Sequence, residues 1–92
     1  MRIEYSKRAL QDLRKVAAEA HAYGSEVAEA VDEVLRHLID HIRREPDGAP
    51  RIEERPGVHV IPLIKYPYKI FYRTTENAVR VLHVRHTSRR PW

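Results

Sequence analysis

The sequence predicts an α+β fold in which an N-terminal strand and a two-helix hairpin precede three antiparallel strands, with the helices on one face of the sheet. Two patterns carry this prediction. Apolar residues recur at a helical period of about 3.6 residues through residues 10–42. Val, Ile, Tyr and Phe, which suit a pleated, half-buried surface, are concentrated in residues 58–86. Isolated helices of this length are only marginally stable in water, so both helices need the sheet to cover their apolar stripes.

The first half of the chain carries start and stop signals for one strand and two helices. Arg2 to Tyr5 is a short predicted strand. Ser6 is the predicted N-cap of the first helix, and Gly24 ends that helix in a left-handed turn. Ser25 is the predicted cap of the second helix, which Pro46 ends. The apolar stripes consist of Leu10, Leu13, Val16, Ala17 and Ala20 in the first helix and Val27, Val31, Val34, Leu35, Leu38 and Ile42 in the second.

The second half of the chain predicts three strands. Residues 47–57 are polar and contain Pro and Gly, which indicates a loop. Val58 to Ile64 is the next predicted strand, in which Pro62 marks a bulge or an edge. Tyr68 to Thr74 and Ala78 to His86 form a predicted antiparallel hairpin, because only a short polar turn separates them.

Length and composition limit the classes of protein to which the chain can belong. A chain of 92 residues with 42% hydrophobic content predicts a single globular domain, residues 1–92, with one modest core. The absence of cysteine excludes disulfides and cysteine-based metal sites or nucleophiles. No apolar run is long enough to span a bilayer, and the N-terminus lacks the apolar core of a signal peptide. We therefore expect a cytoplasmic location and no membrane partner.

Positive charge is concentrated in the last third of the chain. Residues 62–92 hold seven basic residues and one acid, whereas residues 1–61 hold ten basic and twelve acidic residues. The formal net charge is +4 and the pI is about 9.7. This excess of positive charge favours a polyanionic partner, although many small basic domains bind no nucleic acid.

Strand alternation sorts the residues of the last two strands by sheet face, because every second side chain points to the same side. In the first of these strands Lys69, Phe71 and Arg73 point one way, and Tyr68, Ile70 and Tyr72 point the other. In the last strand His83 and Arg85 share one face, and Leu82, Val84 and His86 share the opposite face. Cations on a sheet surface can hold phosphate groups or stabilise a developing phosphorane charge, and a histidine can move a proton. The alternative interpretation is a solvated sheet face followed by a soluble basic tail.

No metal or cofactor site is predicted. His37 and His41 stand four residues apart on the second helix, a spacing that can bind zinc, but no carboxylate motif accompanies them. His21 and His59 have no partner in the sequence, so we expect them at surface or turn positions.

Aromatic residues lie among the cations and can either stack on bases or pack within the sheet. We expect packing for Phe71 and for at least one of Tyr68 and Tyr72. Trp92 is either exposed to a partner or folded back onto the sheet.

Several motifs occur together in a recognisable order. Their order is ALQDL at residues 9–13, Pro67-Tyr68, the strand Ile70 to Tyr72, Arg73, the strand Val79 to Val84, His86, and the pair Arg89-Arg90. This order resembles the RelE/ParE family of toxins from bacterial type II toxin–antitoxin systems, and its ending is closest to ParE-like plasmid-stabilisation proteins. The resemblance covers nearly the whole chain.

The resemblance implies a partner and a toxic activity. The partner is a cognate antitoxin, most commonly a ParD-like ribbon-helix-helix protein, through which alone the complex binds operator DNA. The favoured activity is ParE-like growth inhibition by binding DNA gyrase. One alternative is a RelE-like ribosome-dependent mRNA endoribonuclease, an mRNA interferase; another is a degenerate member that only binds antitoxin.

The resemblance also implies which residues carry the function. Under the nuclease alternative, Lys69 and Arg85 stabilise phosphate charge and His86 acts as general acid or base. The residues expected to bind the target or nucleic acid are Arg73, Arg89, Arg90 and Trp92. Trp92 stands roughly where the nuclease members have a tyrosine, and an indole has no acidic hydroxyl, which weakens the nuclease alternative.

Overall fold

The computed structural model of the chain describes residues 1–52 and 55–87, and its elements confirm the predicted α+β class. Their order along the chain is β1 (Arg2–Tyr5), α1 (Lys7–Ala22), α2 (Ser25–Arg44), β2 (Val58–Pro62), β3 (Tyr68–Thr74) and β4 (Ala78–His86). Strand β2 ends at Pro62, two residues earlier than predicted. No helix in the described ranges is both long and apolar enough to cross a membrane.

The four strands form one sheet in the order β1-β4-β3-β2. Strands β2, β3 and β4 are antiparallel to their neighbours, as predicted. Strand β1 pairs in parallel with β4, where Ile3 faces Val79 and Tyr5 faces Val81. The sheet is therefore mixed rather than purely antiparallel. The long connection through both helices makes this parallel pairing sterically accessible.

The helix ends confirm one predicted cap and correct another. The hydroxyl of Ser6 accepts a hydrogen bond from the Ala9 N–H at 2.9 Å, as an N-cap does. Ser25 is not a cap but the first residue of α2, because Gly24 occupies the N-cap position and has no side chain to bond. Gly24 has a φ of 125°, a backbone conformation that favours glycine and reverses the chain between the helices. Helix α2 stops just before Pro46, as predicted.

The core lies between the helical hairpin and one face of the sheet. On the sheet side it is built from Tyr68, Ile70, Tyr72, Val79, Val81 and Val84, and on the helix side from Ala9, Val16, Ala20, Val31, Leu35 and Ile42. Both Tyr68 and Tyr72 are buried, and so is Phe71, which confirms that the strand aromatics pack within the fold.

His59 belongs to the interior, and its predicted surface or turn position was wrong. Its side chain is only 2% exposed and stacks on the ring of Tyr72 at 5.0 Å. Its Nδ1 lies 2.8 Å from the carbonyl oxygen of Ala49. The loop after α2 folds back along β2, through a bridge between Arg51 and His59, and covers this ring. A single histidine in the sequence gives no indication that the loop after α2 folds back and covers it.

A bulge at Leu82 resets the alternation of β4. Phe71 faces His83, but its neighbour Tyr72 faces Val81, so Leu82 is the extra residue between them. Before the bulge Val81 faces the helices, and after it Val84 does. Leu82 therefore does not simply share a face with Val84 as strict alternation predicted.

Helix α1 replaces β1 as the neighbour of β4 beyond residue 81. The Ser6 N–H donates to the Val81 carbonyl at 3.0 Å, and the Ser6 hydroxyl donates to the Leu82 carbonyl at 2.9 Å. About two turns further along the helix, the Asp12 carboxylate accepts a hydrogen bond from the Val84 N–H at 3.1 Å. These side chains satisfy backbone groups that a short β1 leaves without a strand partner.

Candidate functional site

The sheet face turned away from the helices, here called the open face, collects the basic residues of β3 and β4. Its members are Lys69, Phe71 and Arg73 from β3 and Arg80, His83 and Arg85 from β4. The register pairs them across the strands, with Lys69 opposite Arg85 and Arg73 opposite Arg80. Like charges directly opposite each other destabilise a sheet. The arrangement therefore favours a surface that meets negative charge.

Phe71 forms an apolar floor at the centre of the open face. It is 1% exposed although neither helix covers it. The ammonium of Lys69 lies 5.6 Å from the ring centroid, and the His83 ring packs edge-on at 6.3 Å. The stem of a lysine can cover apolar surface while its charge stays in water, so Lys69 contributes to the burial of Phe71.

Arg85 is placed with part of its guanidinium out of water. Within residues 1–52 and 55–87, its buried Nε has no hydrogen-bond partner. Burying an unsatisfied polar group costs about 1–3 kcal/mol, and more when the group is charged. The fold thus holds Arg85 with a buried nitrogen that costs folding free energy.

His83 shares the open face, and its surroundings favour the neutral imidazole. Its side chain is 19% exposed, and its Nδ1 lies 3.8 Å from the Asp12 carboxylate. Burial lowers the pKa of His83; the Asp12 carboxylate opposes this shift, while the cations Arg8, Arg85 and Arg55 reinforce it. The imidazole can accept a proton, but it is held within the sheet rather than displayed above it.

The open face brings together two of the three residues predicted for catalysis and excludes the third. Lys69 and Arg85 are cross-strand neighbours on it. His86 lies on the helix side of the sheet, where its ring packs edge-on against Tyr68 at 5.5 Å. There it lines a cleft beside Glu19, whose carboxylate accepts a hydrogen bond from the Tyr68 hydroxyl at 2.6 Å.

Of the residues predicted to bind the target, Arg73 is exposed on the open face. Arg89, Arg90 and Trp92 lie outside the described residues. His83 received no role in the sequence interpretation, although alternation placed it with Arg85. Asp12 was missed altogether, because 72 residues separate it from the Val84 N–H that it binds.

No metal centre is evident in the part of the chain that the structure describes. Residues 1–52 and 55–87 contain no group of three or more His, Asp or Glu side chains placed to hold an ion. His37 and His41 are both exposed on α2.

A family model described as the ParE toxin of the type II toxin–antitoxin system parDE matches residues 3–91. The chain belongs to this ParE toxin family. The match spans β1, both helices and the strands of the open face. No curated protein matches the chain.

Solved structures share the ParE-like fold at low sequence identity. The chromosomal ParDE system from P. aeruginosa has a TM-score of 0.79 at 20% identity, with 94% of this chain and 95% of that chain covered. The isolated RelE toxin of E. coli has a TM-score of 0.69 at 22% identity, with 98% and 87% covered. The intact RelBE toxin–antitoxin complex of E. coli has a TM-score of 0.58 at 23% identity, with 97% and 98% covered. At these identities the likeness concerns the fold.

Proposed function

We propose that this chain is the toxin of a type II toxin–antitoxin module and inhibits growth in the cytoplasm by binding DNA gyrase, with no chemistry of its own. The observation that carries this proposal is the separation of His86 from Lys69 and Arg85 by the thickness of the sheet. Membership of the ParE family supports the same activity.

General acid–base catalysis requires the histidine to reach the reacting proton, at about 3 Å or through one water. A phosphate held by Lys69 and Arg85 would lie above the open face. His86 lies below the sheet, against Tyr68, and so cannot reach it. Without that histidine, the open face is a binding surface for acidic groups.

The proposed contact with gyrase consists of the open face together with the C-terminal residues Arg89, Arg90 and Trp92. On the open face, Arg73 and Arg80 are exposed and face each other across the strands, and Arg73 follows Phe71 on the same face of β3. Exposed cations of this kind speed association with an acidic surface and lose that effect in salt.

A second candidate function is a RelE-like ribosome-dependent mRNA endoribonuclease, and the position of His83 favours it. His83 lies on the same face as Lys69 and Arg85, and its lowered pKa favours the neutral form that a general base requires. Lys69 and Arg85 would then stabilise the phosphorane charge. Only 19% of the His83 side chain is exposed, which places this candidate second.

A cognate antitoxin is part of the proposal. Family membership supports it, and two structures of similar fold come from systems named as toxin–antitoxin pairs. A net charge of +4 favours an acidic antitoxin segment. We propose a ParD-like ribbon-helix-helix partner, through which the complex reaches operator DNA.

Two assays test the proposed activity. The purified chain should block supercoiling of relaxed plasmid by gyrase, and the mRNA of induced cells should show no new 5′ ends. Arg73→Glu should weaken the inhibition at least tenfold, because it reverses an exposed charge on the open face. Arg14→Glu, an equal charge change at an exposed position on α1, is the matched control and should inhibit normally.

The opposite results have distinct meanings. New cuts within translated codons that disappear in His83→Gln but persist in His86→Gln would overturn the gyrase proposal in favour of the nuclease. A chain that binds antitoxin but neither inhibits gyrase nor cuts mRNA would be a degenerate member of the family.

A further inference from the structure

A cleft on the helix side of the sheet, here called the tyrosine cleft, lies where the end of α1 and the start of α2 meet the turn before β3. Its volume is about 610 Å³, which is within the range of small-molecule sites. Tyr23, Tyr66 and Tyr68 line it together with Glu19 and His86. None of these residues belongs to the open face, so the proposed gyrase contact does not account for the cleft.

The charge of the tyrosine cleft is opposite to that of the chain as a whole. Over residues 1–52 and 55–87, its lining contains the carboxylate of Glu19 and no lysine or arginine. The whole chain holds 17 lysine and arginine residues against 13 acids. A carboxylate beside apolar walls, such as those at Val27 and Val31, attracts a cation more strongly than one in open water, because the local dielectric is lower. The cleft is therefore complementary to a positively charged ligand.

Tyr68 fixes the carboxylate of Glu19 in the cleft. The Tyr68 hydroxyl donates to Glu19 Oε2 at 2.6 Å, and Tyr68 itself is only 7% exposed. The ring of His86 packs edge-on against Tyr68 from β4. A carboxylate can accept about four hydrogen bonds, so the bond from Tyr68 does not exhaust it. The acceptor is therefore positioned before a ligand arrives, which lowers the entropy that binding costs.

Two further tyrosines supply aromatic walls to the cleft. Tyr23 is the C-cap residue of α1 and is 82% exposed, so its side chain is open to solvent. Tyr66 lies in the turn before β3 and is half-buried. Its carbonyl accepts a hydrogen bond from the Tyr68 N–H at 2.8 Å, which holds that turn. Aromatic rings beside a carboxylate offer faces on which a planar cation can stack.

We propose that the tyrosine cleft binds a small molecule that carries an alkylguanidinium group. A guanidinium is planar, so it can stack on the rings of Tyr23 and Tyr66, and its paired N–H donors match the carboxylate of Glu19. A quaternary ammonium has no N–H to donate, and a primary ammonium has no flat face. The apolar walls at Val27 and Val31 accommodate the aliphatic stem. The inference goes beyond the proposed toxin activity and does not depend on it.

The test titrates the purified chain with three compounds of similar size and follows the backbone amide signals by NMR. Butylguanidinium represents the proposed ligand class, butylurea is its uncharged analogue, and butylammonium keeps the charge without the planar donors. We expect butylguanidinium to bind at least about tenfold more tightly than butylurea, and at least about threefold more tightly than butylammonium. The amides that shift should be those of the cleft, around Glu19, Tyr23 and Tyr68.

Two substitutions assign the binding to named side chains. Glu19→Gln keeps an acceptor for the Tyr68 hydroxyl and removes the charge, so it should weaken butylguanidinium binding at least about tenfold. Tyr23→Leu removes an exposed ring and should weaken the same binding about two- to fivefold. The matched control is Glu33→Gln, an equal charge change at an exposed position of α2 outside the cleft, and this variant should bind normally. Thermal unfolding of each variant checks that the fold is kept.

Each contrary result overturns the proposal at a different point. If no amide shift saturates, or if the shifts lie on another surface, the cleft is not the site. Equal binding of butylurea would exclude charge recognition by Glu19, and equal binding of butylammonium would exclude the guanidinium class. If a blocked Ala-Arg-Ala peptide binds more than about tenfold more tightly than butylguanidinium, the occupant is an arginine of another protein, and the small-molecule assignment fails. None of these outcomes bears on gyrase inhibition or on antitoxin binding.

Discussion

At the scale of single residues, the open face places charged side chains where they oppose folding. Arg85 stands opposite Lys69 across the strands, and its buried Nε has no hydrogen-bond partner within residues 1–52 and 55–87. Groups that cost folding free energy in this way are expected where a protein binds something. Removing such a group should therefore lower the activity without lowering the free energy of unfolding.

Arg85→Met tests this separation. Methionine keeps the aliphatic length of arginine and removes the unsatisfied nitrogen, so the free energy of unfolding should stay within about 0.5 kcal/mol of the wild type or rise. Toxicity on induction should fall at least tenfold. Arg14→Met, on the exposed side of α1, should change neither quantity. Clear destabilisation by Arg85→Met would show instead that the guanidinium contributes to the fold.

His83 gives the open face a pH-dependent stability. Burial lowers its folded pKa below the ordinary value of 6.5, so the unfolded chain binds more protons in that range. Stability contributed by the neutral imidazole is present above pH 6.5 and is lost as the pH falls below it. Urea unfolding from about pH 7 to about pH 5 should show a shallower loss for His83→Gln than for the wild type. Identical slopes for wild type and His83→Gln would contradict the prediction.

At the scale of elements, α1 both packs on the core and closes the edge of β4. Ser6 caps the helix through the Ala9 N–H and at the same time donates its hydroxyl hydrogen to the Leu82 carbonyl. Asp12 continues the same edge at Val84. One polar face of a helix thus completes a sheet that β1 covers only as far as Val81.

Ser6→Ala should lower the free energy of unfolding by about 1–2 kcal/mol, because it removes the N-cap and leaves the Leu82 carbonyl without its partner. The matched control is Ser25→Ala at the start of α2, where serine makes no capping hydrogen bond; its effect should be within about 0.5 kcal/mol. Chemical denaturation measures both changes. Equal losses at the two serines would mean that the link between α1 and β4 contributes nothing.

At the scale of the whole molecule, the open face and the groove beside α2 differ in chemistry. The open face is cationic above the buried Phe71, whereas the groove is lined mainly by apolar side chains, among them Val34, Leu38 and Ile61. Screening by salt acts on charges and leaves apolar contacts nearly unaffected. Ionic strength should therefore distinguish binding at the open face from binding at an apolar surface.

Raising the salt concentration from about 50 mM to about 200 mM should weaken binding of the chain to gyrase about tenfold, because the proposed contact is cationic. Calorimetry or a surface binding assay with the two purified proteins measures the change, and Arg73→Glu should show a smaller salt dependence than the wild type. Equal affinity at the two salt concentrations would contradict a contact through the open face.

Local sequence signals predicted most of the fold, because caps, periodicity and turns act between near neighbours. Ser6, Gly24 and Pro46 marked helix ends, and the valine- and tyrosine-rich runs gave β3 and β4 with their observed bounds. Alternation also placed Lys69 and Arg85 on strand faces that the register brings together. These features follow from the conformational preference of a few consecutive residues.

Only the tertiary structure decided the features that join distant parts of the chain. The parallel pairing of β1 with β4, the burial of His59 under its returning loop, and the bond from Asp12 to Val84 each link residues that no local pattern connects. The position of His86 beneath the sheet depends in addition on the bulge at Leu82. One extra residue exchanges the faces of all residues after it, so a pattern of period two cannot determine which charges meet until the register is known.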